Sequence, residues 1–250
     1  HRDLHSDHRR QRQMCIRSSV KEALEFSATL RLPSDVSKDA RKAFVDEALD
    51  ILELRGIENR LIGVAGSPSG LSPGQRKVLT VGVELVSNAP VFFLDEPTSG
   101  LDSRAALIVM REVKKVANLG RTVITTVHQP SKEIFNLFDD MLLLQRGGYQ
   151  VYFGPCGVNG KTFVDYLQKI PNAHALPDGM NPASWMLDVL GGTDSTNAGE
   201  KIALKESKST AAGSLQPAMT MKRSGSGGAL NGLLLVCLLY TSDAADDDRS

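Results

Sequence analysis

Leu71-Ser-Pro-Gly-Gln75 and Val91-Phe-Phe-Leu-Asp-Glu-Pro-Thr-Ser-Gly-Leu-Asp102 are the two stretches from which the fold is read. The second opens, after Pro90, with an apolar run over 91–94. That run is too short for a helix and rich in strand formers, so it reads as a short buried strand. Asp95 and Glu96 stand where the strand ends. In open α/β sheets, ligands bind in the crevice beyond the carboxyl ends of the strands. An acidic pair there has two jobs open to it. Asp95 can hold Mg²⁺, directly or through water, beside a transferring phosphoryl group. Glu96 can orient or deprotonate an attacking water. The plainer alternative is a strand-to-turn cap, because Asp is common before proline-containing turns.

A second apolar strand is read at 122–127, and His128 follows it, then Gln129-Pro-Ser131. A lone histidine after a strand is more often structural than catalytic. On the next strand of an α/β pattern, it can face the same crevice and hydrogen-bond a γ-phosphate or the attacking water. With Leu71-Ser-Pro-Gly-Gln75 upstream, the order resembles the second half of an ATP-binding cassette (ABC) ATPase domain. The matching motifs are the signature at 71–75, Walker B and its glutamate at 91–96, the D-loop Ser99-Gly-Leu-Asp102, and the switch histidine, His128. The resemblance implies ATP and Mg²⁺ as cofactors. It implies Asp95 at the metal, Glu96 as catalytic base and His128 as switch. It also implies Ser72, Gly74, Gln75 and Asp102 on the half-site facing a second nucleotide-binding domain.

Composition sets the bounds. The chain has 250 residues, enough for one large domain or two small ones. Lys plus Arg and Asp plus Glu balance at 29 each, which gives no argument for a nucleic-acid partner. Cys15, Cys156 and Cys237 have neither metal-ligand spacing nor an even-numbered framework, so a reducing compartment is the simplest reading. The longest apolar run, 233–240, is far short of the roughly 20 residues a membrane helix needs.

The expected organisation is a non-native or disordered arm at 1–19, two-thirds of an ABC ATPase domain at 20–190, and a disordered linker with a non-native tail at 191–250. In the arm, Asp3-Leu-His-Ser6 is similar to the segment after the Q-loop of G-subfamily ABC transporters. Gln13-Met-Cys-Ile-Arg17 then breaks that pattern and resembles translated sequencing adapter, as does the end of the chain from Leu238. Helical spacing predicts helices at 20–30 and 38–54, the latter ended by Gly56. With the signature helix they form a helical subdomain over about 20–88. Ser72 is placed as an N-cap and Pro73 as first helical residue, so that helix start suits an anion. The family pattern has Gly where Pro73 stands, which removes one N–H donor. Helices at 103–118 and 131–138, with strands at 141–144 and 151–155, complete the alternation. The fold class is α/β, a P-loop NTPase-like parallel sheet with a helical subdomain, followed by the disordered linker.

Gly160-Lys-Thr162 mimics the end of a Walker A loop, Gly-x4-Gly-Lys-Ser/Thr. Its first glycine position holds Pro155, and the segment comes after the histidine strand, so Lys161 is read as a surface lysine. No other stretch fits, so the 250 residues hold no phosphate cradle of their own. Asn181-Pro-Ala-Ser-Trp-Met-Leu-Asp188, Gly82-Val-Glu-Leu-Val86 and His128-Gln-Pro-Ser131 resemble the pleiotropic-drug-resistance type within subfamily G. That implies a part of an exporter's ATPase domain at the cytoplasmic face of a membrane, partnered by a transmembrane domain. Two other readings stay open: a soluble ABC ATPase, which would show a basic surface or coiled-coil insertion, and a non-catalytic interaction fragment, favoured by the missing Walker A.

Overall fold

The computed structural model describes residues 17–145, 149–170, 173–191 and 232–238. Expectations for the arm before residue 17 and for most of 191–250 lie outside them. The chain divides into two compact units between Val123 and Ile124.

The first unit is mostly helical. It holds α1 (Val20–Arg31), α2 (Lys38–Ile51), α3 (Pro73–Leu85), the strand β1 (Val91–Leu94), α4 (Ser103–Asn118) and the first residues of β2 (Thr122–Thr126). Ser19 and Glu22 close a capping box on α1: the Glu22 amide donates to Ser19 Oγ at 3.2 Å and the Ser19 amide to Glu22 Oε2 at 2.7 Å. Val20, Leu24 and Ala28 form the buried stripe of α1, packed on α2 and α3. Gly82 of α3 lets the helices close up, since a Cβ there would meet Leu52 at 3.0 Å and Leu24 at 3.1 Å.

The second helix ends earlier than the spacing suggested. It stops at Ile51, and Gly56 plays no part. Glu53 takes the left-handed conformation at φ 53°, a place usually given to glycine. The Leu54 amide then donates to Leu49 O at 2.8 Å and the Glu53 amide to Asp50 O at 3.2 Å, the paired bonds of a Schellman ending. Burial explains the choice: the turn sends both Leu52 and Leu54 into the core.

Glu53 also bonds Lys115 on α4, and Lys115 Nζ donates to Glu112 Oε1 at 3.1 Å. Glu112 is buried, and among the described residues its Oε2 has no partner. Burial pushes the Glu112 carboxyl above its ordinary value, against the pull of Lys115. The folded state therefore holds this proton to higher pH than the unfolded chain does. The stability this contributes is present below the ordinary carboxylate range and lost as pH rises through the raised value. Glu112→Gln should accordingly gain melting temperature over the parent as pH is raised from about 4 to about 8. A gain that shrinks over that range in paired melting curves would contradict the assignment.

The second unit holds the rest of β2, then α5 (Lys132–Phe135), β3 (Asp140–Gln145), β4 (Tyr149–Pro155), α6 (Lys161–Leu167), α7 (Pro182–Gly191) and β5 (Gly232–Leu238). Its strands lie in the order β2-β5-β3-β4. β3 pairs antiparallel with β4, with a register shift between Leu143 and Leu144, and parallel with β5 from Asp140↔Leu234 to Leu144↔Leu238. Residues 232–238 thus depart from the disorder expected of 191–250. Leu233, Leu234 and Leu235 are buried, as fits an interior strand covered on both faces. Asp139 anchors its start: the Leu233 amide donates to Asp139 Oδ2 at 2.8 Å, and the Asp139 amide to Leu233 O at 3.0 Å.

An aromatic cluster joins β4, α5 and α6, with ring centroids at 5.1 Å for Tyr152–Phe163, 4.9 Å for Tyr152–Tyr166 and 6.0 Å for Phe135–Phe163. Burial pushes the Tyr152 phenol up to about 12. Its hydroxyl donates to Pro155 O at 2.7 Å. Lys161 is exposed at the first turn of α6. Although that places it between a strand and a helix, Pro155 still stands at the first glycine position, and a Cβ on Gly157 would meet Thr162 Oγ1 at 2.2 Å. The loop is packed on its own threonine.

Candidate active site

Four of the signature residues, Ser72 to Gln75, lie at the start of α3. Ser72 is its N-cap, Pro73 its first residue, and Ser72 and Gln75 close a second capping box. The Gln75 amide donates to Ser72 Oγ at 3.2 Å and the Ser72 amide to Gln75 Oε1 at 3.0 Å. Such a cap contributes about 1 kcal/mol to the helix. Arg76 fixes the loop that leads in: its guanidinium donates to Ile62 O and Gly63 O, both at 2.6 Å, and to Leu71 O at 3.3 Å. The loop closes on itself where Gly63, at φ 66°, meets Gly70. A Cβ on Gly63 would come within 2.6 Å of Gly70 Cα.

The acidic pair follows β1. Asp95 is exposed and Glu96 half-buried. Glu96 has φ 44°, a left-handed conformation that non-glycine residues adopt only when the surroundings hold them there. Two turn bonds follow, from the Ser99 amide to Glu96 O at 3.0 Å and from the Leu101 amide to Thr98 O at 3.2 Å. They deliver the chain to Asp102, whose Oδ1 accepts from the Ala105 amide at 2.8 Å and caps α4. A Cβ on Gly74 would touch Ala105 Cβ at 3.4 Å. The starts of α3 and α4 therefore meet where Gly74 lies against Ala105, three residues after Asp102. Arg121 braces β1 from the other end: it donates to Ala89 O at 3.0 Å, to Asn88 Oδ1 at 3.1 Å, and lies 5.8 Å from the Phe92 ring centroid.

His128 belongs to the second unit, exposed just after β2. Gln129 repeats the geometry of Glu96, left-handed at φ 44° and followed by a buried proline, Pro130.

Comparison with known proteins gives this geometry a family. The ABC transporter family model matches residues 2–99, and the ABC-2 type transporter model matches residues 128–209. ABC transporter G family member 37 of Oryza sativa subsp. japonica is 49% identical over 187 residues, which is 75% of this chain and 12% of that protein. Member 38 of the same plant is 52% identical over 171 residues, 68% of this chain and 11% of that protein. This chain belongs to the ABC transporters, subfamily G. It spans only a small part of the curated relatives it matches. A solved inward-facing conformation of a metal-chelate type ABC transporter aligns with 27% identity over 55% of this chain and 52% of that one, at a TM-score of 0.43. Among the described residues, no helix is long and apolar enough to cross a membrane.

The ABC transporter match begins at residue 2, inside the arm expected to be non-native or disordered. Sequence reading missed three features of the site. The side chains of Ser72 and Gln75 each accept from the other's backbone amide, as the Ser-x-x-Gln spacing of a capping box could have indicated. The left-handed turns at Glu96 and Gln129 carry only a weak signal, a following proline that disfavours the right-handed helical conformation. The third is Asn181, whose Nδ2 donates to Pro130 O at 2.7 Å. Asn-Pro ahead of an apolar run signals a helix start, but not that partner.

Proposed function

We propose that this chain is the signature-to-switch portion of a nucleotide-binding domain in an ABC exporter of the pleiotropic-drug-resistance type. In that reading ATP hydrolysis at the cytoplasmic face drives substrate across the membrane through the transporter's transmembrane domain. The observation that carries it is the turn from Glu96 to Asp102, which joins a strand-end acidic pair, its glutamate held left-handed, to the helix start on which Gly74 packs.

Each residue has a role in this reading. Asp95 supplies a hard, exposed oxygen donor at a strand end. Among the described residues no cluster of three or more metal-binding side chains occurs. That donor set suits Mg²⁺, which is held by one or two carboxylates, water and substrate phosphates rather than by an all-protein cage. Mg²⁺ supplies charge neutralisation at the phosphates when bound. Glu96 accepts the proton of the attacking water, and the left-handed backbone fixes where its carboxylate starts. His128 senses the γ-phosphate or that water. Across the dimer, α3 offers its N-terminus to the ATP of a second nucleotide-binding domain. Pro73 has no N–H, Gln75 donates to Ser72 Oγ and Arg76 to Ser72 O at 3.0 Å. That leaves the Gly74 amide as the first-turn donor for a phosphate. Asp102, engaged as a cap, couples the two half-sites through the backbone it holds.

In vesicles carrying the intact transporter, removing Mg²⁺ with a chelator should abolish ATP hydrolysis and substrate export together. Export that continues without hydrolysis would overturn the reading.

A further inference from the structure

The loop at 128–131 is held from an element far along the chain. Gln129 sits in a left-handed conformation that costs free energy unless the surroundings over-determine it. Pro130 is buried, and Ser131 begins α5, its Oγ accepting from the Ile134 amide at 3.3 Å. The carbonyl between them, Pro130 O, accepts from Asn181 Nδ2 at 2.7 Å. Asn181 is engaged on its other sides too. Its Oδ1 accepts from the Ala183 amide at 3.1 Å, and its backbone oxygen from the Ser184 and Trp185 amides at 3.0 and 2.9 Å. One amide side chain thus starts α7 and grips the histidine loop. The grip is firm because α7 is anchored: Trp185 is fully buried, its Nε1 donates to His174 O at 3.2 Å, and α7 packs on α5 and α6.

We propose that Asn181 is a positioning residue for ATP hydrolysis, holding the 128–131 loop so that His128 is presented in one orientation and moves only with α7. Its catalytic consequence rests on the reading of His128 given above; its structural part does not. The two halves of an asparagine side chain separate the roles. Asn181→Asp keeps the oxygen that caps α7 and replaces the N–H donor with an acceptor facing Pro130 O. Asn181→Ala removes both.

The test has two arms. In the 250-residue chain, hydrogen exchange of the Gln129 and Ser131 amides should quicken by about tenfold in Asn181→Asp, the effect of losing one modest hydrogen bond. The α7 amides and the fluorescence of Trp185 should stay as in the parent. Unchanged exchange at Gln129 and Ser131, or equal loosening of α7, would overturn the proposal. In the intact transporter, Asn181→Asp should lower kcat by about tenfold with KM for MgATP nearly constant. Added to His128→Ala, it should cost nothing further. A parental kcat, or losses that multiply in the double variant, would also overturn it. If His128→Ala alone leaves turnover intact, the His128 reading fails, and the exchange arm alone decides whether Asn181 holds the loop.

Discussion

Glu96→Gln in the intact transporter is expected to lower ATP turnover by about 10²–10⁴-fold, the range for loss of a general base. The substitution keeps side-chain size and an acceptor oxygen, so the turn bond from the Ser99 amide to Glu96 O and the cap at Asp102 should persist. What it removes is the capacity to take a proton. Asp95 is adjacent in sequence but is assigned to the metal in this reading. Asp95 therefore has no route to substitute. Nucleotide affinity should change little, since in the proposed role the group acts on the attacking water rather than on the phosphates. Steady-state ATPase rates at saturating MgATP measure this, and a loss below about tenfold would mean that Glu96 only shapes the turn.

The largest effect on stability is expected at Trp185, the one tryptophan of the chain. Its side chain is fully buried, its ring lies edge-on to His174 with centroids 6.2 Å apart, and its indole N–H is hydrogen-bonded to the His174 backbone. Trp185→Ala leaves a cavity, an orphaned carbonyl and a loosened α7. Large-to-small changes of this kind cost about 3–5 kcal/mol. Against the 5–15 kcal/mol that stabilises an ordinary domain, that is a large fraction. Denaturant unfolding followed by circular dichroism should show the loss in the second unit. A cost under about 1 kcal/mol would mean that α7 is not anchored there.

Much of this was legible in the residues. Pro90 before an apolar run, and Gly120 after a helical one, bounded β1 and α4 because backbone chemistry acts locally. The end of α2 was not legible. Leu52 and Leu54 drive it by burial, and their partners lie on other helices. The strand 232–238 was missed for a related reason: its neighbour β3 is some ninety residues earlier, and composition alone marked the surrounding segment as linker. In the site, residue types in order identified Asp95, Glu96, Asp102 and His128 as candidates. Conformation stayed hidden. The prolines after Glu96 and Gln129 hint only weakly at their left-handed turns, and nothing local says that Asn181 reaches Pro130, a partner remote in sequence.

The most direct test of the central claim is to identify the nucleotide retained by the intact transporter in a single turnover with labelled ATP and Mg²⁺. With Glu96 in place, the label recovered from this cassette's site should be ADP. With Glu96→Gln it should remain ATP. Recovery of ADP from that site at the parental rate in Glu96→Gln would show that Glu96 does not serve the hydrolytic step.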